Sequence, residues 1–211
     1  MRSIVWNMNP ETIEHLKQVE TAIDNLKCEL NDCAIVVDRR NVILIGTIDQ
    51  LIEHHASMLL LIRENKVGSA FALSRSIVEG MYRGLWINLC ATDDQVNHFE
   101  QDDRLPVNMS QMADAIDDKY RAEGFFVDLR QRAWPHLCSY AHTGMLQLGR
   151  RFTDHALIPR YSDGEIVEIT TSITTCILTM TSKFLAQLNL GSEALVAEQL
   201  IGTFGRAAQH H

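Results

Sequence analysis

Prolines are scarce in this chain of 211 residues: there are four, at positions 10, 106, 135 and 159. An interior proline removes a backbone donor and clashes with the preceding turn, so their scarcity leaves long stretches in which helices can propagate. Long apolar runs are missing too. The stretch 166–180 is the most apolar one near the C-terminus, but Glu168 and several threonines interrupt it. It falls short of the roughly 18–20 apolar residues that a membrane span needs. The first ten residues lack the apolar core of a secretion signal. The five cysteines, at 28, 33, 90, 138 and 176, are odd in number and contain no C-x-x-C pair. They are expected to be small core hydrophobes in a reducing, cytoplasmic setting rather than a disulfide framework.

Several chemistries lack their residues. Neither G-x-G-x-x-G nor G-x-x-x-x-G-K-[ST] occurs, which removes the usual phosphate loops. Neither H-E-x-x-H nor paired Glu-x-x-His is present, and the adjacent His54 and His55 diverge on a helix. Asp114, Asp117 and Asp118 share part of a helix face and read as solvated acids before they read as a cation site. No metal and no cofactor is expected. Positive charge is also short: the net charge is -8, which argues against whole-surface attraction to nucleic acid. The imbalance is local, however. Residues 93–118 carry eight acids against one base, whereas residues 119–160 carry seven bases against three acids. A basic face on an acidic protein is therefore possible, although oppositely charged solvated helix faces explain the same pattern.

What is present is helical periodicity. With 46% hydrophobic and 22% charged residues, the composition is that of one globular domain over 1–211. Its core bundle is expected over about 9–190, with a last helix over about 192–207. Asn9-Pro10-Glu11 is a helix start, and Ile13, Leu16, Val19, Ile23, Leu26 and Leu30 form one stripe behind it. The residues 33–38 are compatible with a short strand. Further helices are expected over about 41–63, 68–90, 94–103, 107–122 and 125–134, with Pro135 breaking or restarting the chain and a stop at Gly144. Residues 145–162 read as a loop. Thr92–Gln95 and Ser162–Glu165 both spell capping boxes, the second opening a long threonine-rich helix to about Leu188. No internal repeat or low-complexity linker is found. The expected fold is all-α: an antiparallel bundle of three to four long helices with shorter helices packed at one end.

Three polar groups stand out. Arg75, Glu79 and Arg83 recur every four residues on an otherwise apolar helix, so they project from one face and can pair. Charges on a mostly buried helix need a partner or a purpose; a surface ridge or a register-fixing ion pair is the structural alternative. Second, His142 lies in Leu137-Cys138-Ser139-Tyr140-Ala141-His142-Thr143-Gly144, at a helix end where it can face a cleft or cap a carbonyl. Third, Arg130, Arg132, Trp134 and His136 fall within seven residues, a set that can hold a phosphate and stack a base, or be solvated around a core tryptophan.

The Arg75-Ser76-Ile77-Val78-Glu79 helix, with the later Ser139-to-His142 segment, resembles a group of uncharacterised bacterial helical-bundle proteins. That group is similar to the HEPN superfamily (higher eukaryotes and prokaryotes nucleotide-binding). Arg130 and His136 also match the superfamily's arginine-to-histidine spacing, with Pro135 and Gln131 as departures from its usual pattern. The resemblance implies a helical, often dimeric protein that binds RNA or cleaves it without metal, in a defence or toxin–antitoxin system. An antitoxin is then a possible protein partner. It further implies His142 as acid–base group, Arg75 as stabiliser of phosphorane charge and Glu79 as its orienting partner. Arg83, Arg130, His136 and Tyr140 would contact substrate. A non-catalytic dimeric bundle that binds a protein partner or a small ligand fits the acidic charge better.

Overall fold

The computed structural model describes residues 8–33, 35, 38–153, 156–157, 159–188, 190, 198–199 and 201. Helix α1 (Pro10–Asp32) starts where its sequence says it should: the Asn9 side chain accepts from the Thr12 N–H at 2.7 Å, with Pro10 at the first helical position. Asp38 caps α2 (Arg39–Arg63) by accepting from the Asn41 N–H at 2.9 Å. A three-residue turn, with Asn65 at φ 57°, reverses the chain into α3 (Val67–Leu89). Three capping boxes then open α4 (Asp93–Asp102), α5 (Met109–Tyr120) and α8 (Asp163–Gln187). Those at Thr92–Gln95 and Ser162–Glu165 match expectation, whereas the one at Asn108–Gln111 was not anticipated. Between α5 and α8 lie α6 (Phe125–Ala141), the short α7 (Met145–Leu148), one 3-10 turn and a minimal hairpin of β1 (Phe152–Thr153) and β2 (Ala156–Leu157).

The architecture is all-α, with four long helices. Helices α1, α2 and α3 alternate in direction. Helix α8 runs parallel to α1, since Asn9 meets Asp163 and His15 meets Thr170. On its other flank α3 packs against α5 and α6. Here α6 is antiparallel to α3: the Tyr82 hydroxyl donates to the Phe126 carbonyl at 2.6 Å, and the Phe71 ring meets Tyr140 edge-on at 5.3 Å. Helix α3 is thus the shared wall of two layers, which is why Phe71, Tyr82, Leu85 and Trp86 are all buried. Burying an aromatic or branched apolar side chain of this kind contributes roughly 1.5–3 kcal/mol.

Four expectations need correction. Helix α6 runs unbroken through Pro135. Gln131 and Pro135 both sit on its exposed face, so water can serve the carbonyl that proline leaves without a donor. The 145–162 segment is a strap with its own helical turns and hairpin, not a bare loop. Of the five cysteines only Cys176 is buried; Cys28 is exposed, and all five are free thiols. The stripes hold in the main, with Leu16, Val19, Ile23 and Leu26 buried in α1 and Ile48, Ile52, Leu59 and Ile62 in α2, but single positions differ. Ile13 and Leu60 are exposed, whereas His15 and His55 are buried. Of the 33–38 stretch, the described residues 33, 35 and 38 form no strand, and the expected last helix over 192–207 lies mostly outside the described residues.

Candidate functional site

Helices α3, α6 and α8 do not close on one another along their full length. Between them is a cavity of about 440 Å³. Its floor is apolar: Phe71 and Val78 from α3, Leu129 and Leu137 from α6, and Ile169, Ile173 and Cys176 from α8. Around these stand Arg132, His136 and Tyr140 from α6, Glu165 and Glu168 from α8, and Arg150 from the strap. The spacing explains the wall: 129, 132, 133, 136, 137 and 140 fall on one face of a 3.6-residue helix.

Arg150 organises the rim. Its guanidinium donates to Glu165 through Nε at 2.9 Å and through Nη2, and to the Leu146 carbonyl through Nη1 at 2.6 Å. It also lies over the Tyr140 ring at 5.4 Å and over the Tyr161 ring at 6.0 Å. Glu165 is the capping-box acid of α8, so one carboxylate both starts the helix and anchors the strap. Burial would raise its pKa. Hydrogen bonds from the Ser162 N–H and from Arg150 outweigh that and hold the carboxyl below its ordinary value. The strap is tied to α3 as well. The Tyr161 hydroxyl donates to the Gln147 side-chain oxygen at 3.1 Å, and the Gln147 amide donates to the Gly68 carbonyl at 2.8 Å. Gly68 permits this approach: a Cβ there would lie 2.7 Å from the Tyr161 hydroxyl.

His136 stands on the exposed side of α6 at the cavity. Its Nδ1 is 3.0 Å from the Arg132 carbonyl oxygen, which can only accept, so Nδ1 carries a hydrogen and, in the neutral ring, Nε2 is the acceptor. Tyr140 is half-buried, and burial raises its hydroxyl above the usual tyrosine value, so it stays a donor at neutral pH.

The structure divides the residues singled out by sequence. His136 and Tyr140 line the cavity. Arg75, Glu79 and Arg83 do not; they form a ladder along another face of α3. Glu79 pairs with Arg75 at 3.5 Å and with Arg83 at 3.9 Å, and Arg83 reaches Asp103 at 3.3 Å. Arg75 stacks on Trp134 at 4.9 Å and Arg83 on Phe99 at 5.6 Å, so the ladder ties α4 and α6 to α3. Arg130 does not line the cavity, and its Nε is buried without an acceptor, as is that of Arg75. His142 is exposed at the C-cap of α6, and among the described residues no hydrogen bond or ion pair joins it to Arg75 or Glu79.

The Ser139-to-Gly144 segment is the end of α6 and the turn that follows it: the Ser139 hydroxyl accepts from the Leu146 N–H at 3.1 Å, and Thr143 adopts φ 57°. A Cβ on Gly144 would lie 2.8 Å from the Ser139 Cα, so glycine is required by backbone approach. Sequence reasoning missed Arg150, Glu165 and Glu168 as neighbours of His136. Only the capping-box role of Glu165 was visible.

Among the described residues no group of three or more His, Cys, Asp or Glu is placed to hold a metal, and no helix is long and apolar enough to cross a membrane. A model of a family of unknown function, DUF6988, matches residues 49–201, well over half of the chain. The chain belongs to the DUF6988 family. Every residue lining the cavity falls inside the DUF6988 region, whereas all of α1 lies outside it. No curated protein and no solved structure matches the chain.

Proposed function

We propose that the protein is a ligand-binding helical bundle whose α3–α6–α8 cavity takes a small organic molecule with an apolar body and a polar head. The cavity itself carries this reading: about 440 Å³ of space with an apolar floor and converging polar groups at one side. Its charges also favour a small ligand over a polyanion. Arg132 and Arg150 are matched by Glu165 and Glu168, and Asp128 lies 3.4 Å from Arg132. Phenylbutanol, an apolar body with a neutral head, is a direct probe. Titrated into the full chain and followed by amide NMR, it is expected to shift signals around Tyr140, Ile169 and Ile173. Ser172→Trp, which fills the exposed rim, should abolish the shifts. Shifts elsewhere, or none, would overturn the reading.

A metal-independent, HEPN-like ribonuclease is the second reading, and one observation favours it. His136 presents a bare Nε2 one helical turn from Arg132, an arrangement suited to proton transfer beside a phosphate. This reading moves the acid–base role from His142 to His136 and leaves Arg75 and Glu79 as positioning residues of α6. Cleavage of a mixed-sequence RNA in EDTA, lost in His136→Ala but retained in His142→Ala and Arg75→Ala, is its signature. Intact RNA with wild-type protein removes it. A cytoplasmic homodimer suits either reading, the five free thiols being in keeping with a reducing setting.

A further inference from the structure

The polar groups of the cavity are not equally available to a ligand. Arg150 and Glu165 are spent on each other: the guanidinium serves Glu165 and the Leu146 carbonyl, while the carboxylate also accepts from the Ser162 N–H and hydroxyl. Arg132 points outward, with its side chain 83% exposed, and its guanidinium lies 3.4 Å from Asp128. Four groups remain, one of them the Ser172 hydroxyl at the exposed rim, which donates and accepts alike. Glu168 has no ion pair or hydrogen bond among the described residues, although it is close enough to Tyr140 to perturb that hydroxyl. His136 offers Nε2 as a bare acceptor. The Tyr140 hydroxyl has no protein partner among the described residues and both donates and accepts. The inventory facing a ligand is therefore dominated by acceptors, one of them a full negative charge.

We infer that the cavity selects a cationic ligand: an ammonium or amidinium group held by Glu168, with N–H donors to His136 Nε2 and Tyr140 Oη, on an apolar body that fills the floor formed by Phe71, Leu137 and Ile173. This rests on the cavity being a ligand site and specifies the head group it takes. The chemistry is complementary at each point. A primary ammonium has three donors and no acceptor, which matches two acceptors and an amphoteric hydroxyl. Glu168 is exposed at the mouth of the cavity, so the charge pair forms at the rim with the apolar wall beside it to take the ligand's body. The net charge of -8 favours the approach of a cation over that of an anion. A carboxylate or phosphate would instead face Glu168 and a bare imidazole nitrogen, and could recruit Arg132 only by competing with Asp128.

Three probes with one apolar body separate the possibilities: phenylbutylammonium, phenylbutanol and phenylbutyrate, each titrated into the full chain by calorimetry and amide NMR at neutral pH. The ammonium is expected to bind at least fivefold more tightly than the alcohol and more tightly still than the carboxylate. Glu168→Gln should bring ammonium and alcohol to within twofold of each other, chiefly by weakening ammonium binding. Tighter binding of the carboxylate, equal binding of all three, or an ammonium preference that survives Glu168→Gln would overturn the inference and leave the cavity as a ligand site. Failure of all three to bind would overturn both.

Discussion

His55 Nε2 and Thr174 Oγ1 lie 2.9 Å apart in the core, although 119 residues separate them in sequence. The Thr174 hydroxyl donates to the Thr170 carbonyl at 2.7 Å, so it accepts from the histidine, and Nε2 of His55 carries the hydrogen. His15 meets Thr170 in the same manner at 3.0 Å. Thus Thr170 and Thr174 are polar contacts of α8 with α1 and α2, each meeting a buried imidazole.

Burial pushes His55 down to about 4, with Glu20 opposing the shift and Lys27 reinforcing it. The unfolded chain takes up this proton near the ordinary histidine value of about 6.5. Between the two values the unfolded state binds more protons, so stability is full above the upper one and falls as the pH drops toward the lower. At about 1.4 kcal/mol per unit the total loss is on the order of 3 kcal/mol. Urea midpoints are expected to fall from neutral pH to about pH 4.5, and the fall should shrink in His55→Gln. Equal midpoints for the wild type at the two pH values would contradict the burial of a neutral imidazole.

Asp117 caps α6 from the neighbouring helix, accepting from the Phe126 and Val127 N–H groups at 2.9 Å each. Asp117→Ala is expected to lower stability by about 1–2 kcal/mol, the cost of losing a good N-cap. Asp117→Asn, which keeps one acceptor, should fall between the two in chemical denaturation. An unaffected midpoint in Asp117→Ala would mean that water replaces the cap without cost.

Pro135 sits inside α6, where it denies the Gln131 carbonyl its usual donor. Pro135→Ala restores that hydrogen bond and should stabilise the protein by about 1–3 kcal/mol in thermal unfolding. Loss of stability instead would show that the proline sets a bend needed for α6 to follow α3.

The Arg150–Glu165 pair is about a quarter exposed and charge-assisted. A double-mutant cycle with Arg150→Met and Glu165→Gln is expected to give a coupling of about 1–2 kcal/mol. Glu165→Gln alone keeps the capping box, so its helix should survive while the strap loosens. Additive effects of the two substitutions would remove Arg150 as the anchor of the rim.

Helix boundaries were legible because their causes are local. Asn9, Thr92 and Ser162 each reach a backbone N–H three residues ahead, and such a contact can be read without knowing the fold. The stripe of α2 was read less well. Its buried face includes His55 beside Leu51 and Ile52, and an imidazole reads as polar until a threonine from another helix satisfies it. The candidate site was half legible. His136 and Tyr140 were named, but His142 was placed with Arg75 on the strength of a motif. The register of α6 on α3, set where Tyr82 meets Phe126, brings Trp134 level with Arg75 instead. At 1.5 Å per residue, His142 then lies about 12 Å further along the axis.

By itself the sequence determined an all-helical chain, the starts of its helices and the pairing of Arg75, Glu79 and Arg83, since each depends on residues no more than four apart. Only the tertiary structure decided that the ladder braces α4 and α6, that His15 and His55 lie inside, and that Arg150, Glu165 and Glu168 gather around His136. Those outcomes depend on how distant helices slide and rotate against one another, and that is set by the packing of the whole core.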